Sequence, residues 1–447
     1  MCGIVHRNLG LLRVFPKTFK GLCASGRIVE RVCRVCFEFA APAPLQLAGI
    51  ARTEPRNEDA RSTFPEWIGM SFDVIVLGLG AMGSATALHL AERGKRVLGI
   101  EQFTSPHDKG SSHGGSRMIR QAYFESPDYI PLVLRAYELW RKLEKDTGTR
   151  LLHVTGGMNI GSRDGELVKR TIAASERHSI PFEVLGENEI SSRFPVVVPQ
   201  PDDVAVYETN AGYLFPEECI RAHLKLAGRA GAELKFEESV VSWSAEGDGV
   251  EVRTGKGVYS AGHLVITAGP WANKALDGIF PLRVTRQVMA WIEPTTGVTP
   301  FLPQSFPVFL CEDVHGGPPG YGFPAIDGPG GGIKAAIPGS DVVCTPETVD
   351  RAIHAADLQK IIEKLKVRMP ALDGRVVRAQ TCLYTMSPDE HFVIGAHPQF
   401  ASCSIACGFS GHGFKFAGVV GEILADLAIQ GSTAHPIGLF SPRRFGG

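Results

Sequence analysis

Phe72-Asp73-Val74-Ile75-Val76-Leu77 runs straight into Gly78-Leu79-Gly80-Ala81-Met82-Gly83. The first six residues read as a strand buried on both faces, because apolar and β-branched residues follow one another without alternation. The next six form a GxGxxG turn. Ala85, Leu88 and Ala91 then recur at helical spacing, and Gly94 marks a helix stop. A second strand, Arg96 to Ile100, ends at Glu101. Strand, glycine turn, helix and strand in this order predict a doubly wound α/β domain.

Each part of this unit has a chemical use. Gly78 allows the tight turn, Gly80 lets backbone approach a pyrophosphate, and Gly83 lets helix and strand pack closely. The helix N-terminus stabilises phosphate charge. Glu101 follows Gly78 by about 20 positions, where a carboxylate meets ribose hydroxyls. An adenine dinucleotide is therefore expected, the alternative being a glycine-rich turn with no ligand. The motif alone does not separate FAD from NAD, and an acid at position 101 argues against a 2′-phosphate.

Two further segments belong with this unit. Gly110-Ser111-Ser112-His113-Gly114-Gly115-Ser116-Arg117-Met118-Ile119-Arg120 is small and polar, then doubly basic, as suits a loop lying against a ligand. Arg117 and Arg120, three apart, can share a face. His263 to Thr267, running into Ala268-Gly269-Pro270-Trp271, reads as another parallel strand whose C-terminal end faces the ligand crevice. Leu132, Ala136, Leu139 and Leu143 form a helical stripe that is core.

The whole chain has 447 residues, a formal charge of −1 and 44% apolar residues, enough for two or three ordinary domains. Disorder and small disulfide scaffolds are excluded, and no general attraction to nucleic acid or anionic membrane is expected. No apolar run reaches the length of a membrane-spanning helix. Residues 1–70 differ from the rest, with ten basic residues against six acidic ones and four prolines within 41–66. We expect 1–70 to be an extension without catalytic role, disordered or superfluous to a chain that begins at Met70; a targeting segment or a functional domain are the alternatives. Cys33 and Cys36 form a CxxC without a second pair at zinc spacing, so no metal is expected. The later cysteines are scattered and read as free thiols in a reducing compartment.

Two C-terminal segments decide the chemistry. One is Thr381-Cys382-Leu383-Tyr384-Thr385, followed by Ser387-Pro388-Asp389-Glu390-His391. The other is Gly408-Phe409-Ser410-Gly411-His412-Gly413-Phe414-Lys415, entering a helix through Val419, Val420, Ile423, Leu424 and Leu427. A helix N-terminus with an added lysine supplies positive charge suited to the electron-rich edge of a reduced flavin.

With these segments the chain, from about Phe72 to Arg444, resembles the monomeric sarcosine oxidase and N-methyltryptophan oxidase family. These are flavin amine oxidases of the D-amino-acid-oxidase fold class. The resemblance implies an α/β plus α+β architecture: a Rossmann-like FAD-binding domain of the D-amino-acid-oxidase or glutathione-reductase type, with a mixed-sheet substrate domain. The FAD-binding part is expected at 71–156, 217–284 and 378–440, the substrate part at 157–216 and 285–377, and a tail at 441–447. The resemblance also implies FAD held through a thioether to Cys382, and a substrate carboxylate held by Arg120 and Lys415. It places Tyr321 and Tyr384 beside the substrate, Arg117 and His113 near the flavin, and Lys334 where dioxygen is activated. Ser112, Gly269, Gly411 and Gly413 join Gly78, Gly80, Gly83 and Glu101 as cofactor-binding residues. The implied reaction is oxidation of a small secondary amino acid, N-methyl or cyclic, to an imine that hydrolyses, with dioxygen reduced to hydrogen peroxide. One departure stands out: Pro338 occupies a position where the family has a histidine, and 325–333 is unusually rich in glycine. The rivals are a flavin dehydrogenase passing electrons to a partner, a non-catalytic flavin-binding assembly protein, and a plain nicotinamide dehydrogenase. A cytoplasmic monomer is expected, with organelle import if 1–36 is a transit peptide.

Overall fold

The computed structural model describes residues 71–246, 249–340 and 342–446. These lie in one compact unit, Ile68–Gly447. The expectations for 1–70, including Cys33 and Cys36, lie outside the described residues.

The run quoted first forms the strand Ser71–Leu77 at the centre of a sheet. Val97–Ile100 pairs with it in parallel on one side and Val258–Ile266 on the other. Glu233–Lys235 continues the sheet beyond Val97–Ile100. Beyond Val258–Ile266 the sheet divides. The first half of that strand carries the antiparallel pair Gly249–Thr254 and Val240–Glu246. Its second half takes Cys403–Cys407 in parallel, which pairs in turn with Val393–Ala396. The predicted helix forms over Ala81–Glu92, and Gly94 adopts a left-handed φ of +75° two residues past its end.

Ala81–Glu92 packs against Pro216–Arg229 and Ala417–Gln430, and Ile130–Thr147 packs against Ala417–Gln430. The core stripe of Ile130–Thr147 is the predicted one, Leu132, Ala136, Leu139 and Leu143 all being buried. In Ala417–Gln430, Val419, Val420, Ile423 and Leu424 have no exposed surface. Each such side chain contributes about 1.5–3 kcal/mol on burial, so this helix is held by the core around it and not by its own propensity.

The second sheet is mixed. The strand Arg283–Ile292 runs antiparallel to Val376–Met386 on one side, and to Ile333–Ala336 and Val343–Cys344 on the other. Gly320–Gly322, Val308–Cys311, Gly157–Ser162, Asp203–Glu208 and Glu183–Leu185 extend it in that order. A three-stranded sheet, Arg117–Ile119, Gly212–Leu214 and Leu152–Val154, completes the described strands. Residues 378–386, grouped above with the cofactor segments, run in the second sheet. Their strand is long enough to pair along the whole of Arg283–Ile292, which sets Cys382 opposite Gln287 and Tyr384 opposite Thr285. Among the described residues, no helix is long and apolar enough to cross a membrane.

Candidate active site

The glycine turn is built as its spacing demands. Gly78 has a φ of +88°, and its N–H donates to Ile100 O at 2.8 Å. A Cβ on Gly83 would stand 1.8 Å from Gly78 O and 2.5 Å from Thr267 Oγ1. Only glycine permits that approach. The Thr267 hydroxyl donates to Gly78 O at 2.8 Å, tying the Val258–Ile266 strand end to the turn. Glu101 is buried at the end of its strand. Its Oε2 accepts from Leu79 N at 2.9 Å and its Oε1 from Phe103 N at 3.0 Å, so the carboxylate is held in one orientation.

A cavity of about 350 Å³ opens over this turn. Gly78, Gly80, Glu101, Ser112, Arg117, Gly269, Tyr384, Gly411 and Gly413 all line it, together with Thr385 and Trp271. These residues come from six separate stretches of sequence. Gly83 lies behind the wall. His113 is buried outside it.

Arg117 connects the cavity to a second group of residues. Its Nη2 donates to Ser111 O at 2.8 Å and lies 3.8 Å from Cys382 Sγ. Its Nη1 donates to Ser116 O at 2.7 Å, the same oxygen that accepts from Lys334 Nζ at 2.7 Å. Tyr384 OH and Tyr321 OH are 3.1 Å apart. Cys382, Tyr321 and Tyr384 pack together with Met289 and Trp291. The sheet thus gathers Cys382, Tyr384, Tyr321 and Lys334 from three of its strands, and Arg117 meets them from the start of the strand Arg117–Ile119. Burial, then the Arg117 guanidinium, pulls the Lys334 ammonium well below its ordinary pKa. Burial drives the Tyr384 phenol well up and lowers His113 to about 4.

Arg120 and Lys415 form a separate buried cluster and do not line the cavity. Tyr123 joins them: Arg120 Cζ is 4.3 Å from its ring centre, and Lys415 Nζ is 3.4 Å from its hydroxyl. Arg120 Nη2 donates to both oxygens of Glu125, at 2.6 and 2.7 Å. Lys415 Nζ also donates to His412 O at 2.7 Å. Burial, then Arg120, lowers Lys415 to about 7.

The residues fit a flavin dinucleotide. Thr385 Oγ1, in the cavity wall, and both ring nitrogens of His113 are buried with no hydrogen-bond partner. The Thr385 hydroxyl, in the wall, is thus able to bond a group bound in the cavity. The helix over the turn carries no acid in its first turn, leaving its N-terminus free for phosphate. Thr385, Tyr123 and Glu125 are site residues that sequence reasoning missed. Thr385 stood inside a motif already singled out; the other two have no local pattern.

Comparison with known proteins agrees with this geometry. The family described as FAD dependent oxidoreductase matches residues 73–427. The monomeric sarcosine oxidase of Streptomyces avermitilis is 50% identical over 376 residues, covering 84% of this chain and 98% of that one. The N-methyl-L-tryptophan oxidase of Yersinia pestis is 32% identical over 378 residues, covering 84% and 100%. Among solved structures, L-proline dehydrogenase from P. horikoshii superposes with a TM-score of 0.73 at 25% identity, covering 84% of this chain and 98% of that one. NikD, an unusual amino acid oxidase essential for nikkomycin biosynthesis, superposes with a TM-score of 0.71 at 27% identity, covering 83% and 97%. With near full-length kinship and a glycine turn, carboxylate and unpartnered cavity hydroxyl suited to FAD, the chain belongs to the FAD dependent oxidoreductase family, in its monomeric sarcosine oxidase and N-methyltryptophan oxidase branch.

Proposed function

We propose that the protein is an FAD-dependent oxidase of small secondary amino acids, N-methyl or cyclic. It oxidises the CH–NH bond to an imine, whose hydrolysis releases an aldehyde and the shorter amine where an N-methyl group was the target. The carrying observation is the convergence of Arg117, Cys382, Tyr384, Tyr321 and Lys334 beside a cavity that also holds the dinucleotide turn. We read the first sheet with its helices as the cofactor part and the second sheet as the substrate part.

FAD, which the Gly78–Gly83 turn and Glu101 would hold over the cavity, would supply the redox chemistry that couples amine oxidation to the reduction of dioxygen to hydrogen peroxide. The protein's residues position, polarise and shield. Cys382, free and buried, is our candidate for a thioether to the flavin. Lys334, a buried cation held by backbone oxygens, stabilises the negative charge that develops on dioxygen. Arg120 and Lys415 supply the cations for a carboxylate, and Arg120 must first part from Glu125. The hydroxyls of Tyr321 and Tyr384 stay protonated and orient the amine end. Pro338 offers no ring nitrogen where the resemblance expects a histidine, so the surroundings of the amine substituent differ there from the family pattern. A monomer in the cytoplasm is the assembly and place we propose.

The test is a peroxide assay across sarcosine, other N-methyl amino acids and cyclic secondary amino acids, on yellow protein. Peroxide with at least one of them is expected. Substrate bleaching of the flavin without peroxide would favour an electron-transferring dehydrogenase.

A further inference from the structure

We propose that Glu217 is a positioning residue for Lys334, acting through the single peptide group that joins Gly114 to Gly115. The proposal rests on the reading of Lys334 as the cation that meets dioxygen.

Glu217 stands in the first turn of the helix Pro216–Arg229. Its Oε1 accepts the N–H of Gly114 at 2.7 Å and that of Gly115 at 3.1 Å. Lys334 Nζ donates to Gly114 O at 2.8 Å. The Gly115 N–H and the Gly114 carbonyl belong to the same amide. A carboxylate therefore sits on the hydrogen end of that amide and an ammonium on its oxygen end. Hydrogen bonds in such a chain polarise one another, and the carbonyl becomes the stronger acceptor.

The local backbone is shaped for this. Gly114 and Gly115 have φ of +95° and +77°, which turns their successive N–H groups toward one anion. A Cβ at Gly114 would stand 2.7 Å from Met289 Cε. A helix N-terminus favours acids in general, and that suffices for Glu218, which pairs with Arg221 on its own helix. It does not explain why Glu217 reaches across to a loop 102 and 103 residues earlier.

Lys334 needs such a counter-charge. It is 3% exposed, and its hydrogen bonds go to Gly114 O, Ser116 O and Ser116 Oγ, all uncharged. The rings of Phe323 and Trp291 lie 4.8 and 5.5 Å from Nζ. The charged or titratable groups facing it are Arg117, Cys382, Glu217, Arg378 and His113. Arg117 and Arg378 oppose its charge; among the described residues Glu217 is the carboxylate in this set.

The experiment uses Glu217→Gln in the flavin-loaded full chain. Glutamine keeps the size and one acceptor oxygen and removes the charge. Reoxidation of the reduced flavin by dioxygen should slow about tenfold, while anaerobic reduction by substrate changes less than about twofold. In a Lys334→Met background the same substitution should add nothing, since the coupled pair is already broken. Glu217→Asp should reoxidise faster than Glu217→Gln. Without turnover, the oxidised flavin spectrum should show a pH transition that is lost in Lys334→Met and moved to lower pH in Glu217→Gln. Equal slowing with and without Lys334, or unaltered reoxidation in Glu217→Gln, overturns the proposal alone. Reduced wild-type enzyme that ignores dioxygen overturns the oxidase reading and this proposal with it.

Discussion

Arg120 and Glu125 form a buried pair, with one guanidinium nitrogen at 2.6 and 2.7 Å from the two carboxylate oxygens. An amino-acid carboxylate drawn to Arg120 competes with a carboxylate already there. Intramolecular competition lowers apparent affinity by the fraction of time the fork is taken. Glu125→Gln should therefore lower the dissociation constant of a simple carboxylate competitor by about fivefold or more, while lowering the melting temperature because Arg120 is left without its charge partner. Titration of the flavin spectrum with the competitor measures the first, and thermal unfolding the second. An unchanged dissociation constant would place the carboxylate elsewhere.

The second cation carries a pH dependence. Burial, with Arg120 beside it, holds Lys415 at about 7, below its ordinary 10.5. It is charged below that pH and neutral above. Carboxylate ligands should bind several-fold more tightly at pH 6 than at pH 9, and Lys415→Met should flatten the profile. For stability the sign is opposite. Between about pH 7 and 10.5 the unfolded lysine binds a proton that the folded one has released, so this group's contribution rises with pH across that window.

Turnover should also respond to pH through the substrate. The neutral amine is the better hydride donor, so the rate of flavin reduction at saturating substrate should climb from neutral to alkaline pH. Stopped-flow reduction under anaerobic conditions measures it, and a flat profile counts against oxidation at an amine carbon.

Cys382→Ala tests the tether. The wild-type pellet after acid precipitation should be yellow, and the variant should leave its flavin in the supernatant. The side chain is 1% exposed and loses only a sulfur, so the fold should survive with a cost of about 1 kcal/mol. Absorbance of pellet and supernatant decides it.

Gly83→Ala should fail more severely. Its methyl group meets the Gly78 carbonyl at 1.8 Å, and the turn must open for it to fit. A loss of about 3 kcal/mol or more is expected, with flavin content falling in step. Differential scanning of the purified variant measures the loss.

Much of the cofactor half was legible in the chain itself. Strand, glycine turn, helix and terminal acid are contiguous, so the spacing of Phe72 to Glu101 encodes them locally. The helix stripe from Leu132 to Leu143 is local in the same way. The second sheet was harder. Its strands are short, and the long one, Val376–Met386, sits where sequence order suggested the cofactor segments. Its partner, Arg283–Ile292, lies about a hundred residues away, and register between distant strands leaves no periodic trace.

The sequence alone determined a dinucleotide turn, the family and the residue types able to hold a flavin and an acid. These depend on neighbours within a few tens of residues and on steric limits peculiar to glycine. Tertiary structure decided which charges meet. It set Glu125 on Arg120, joined Arg117 to Lys334 through Ser116 O, and placed Glu217 across one amide from Lys334. Side-chain charge acts over a few ångströms of space, and the packing of sheets and helices, not order along the chain, sets those distances.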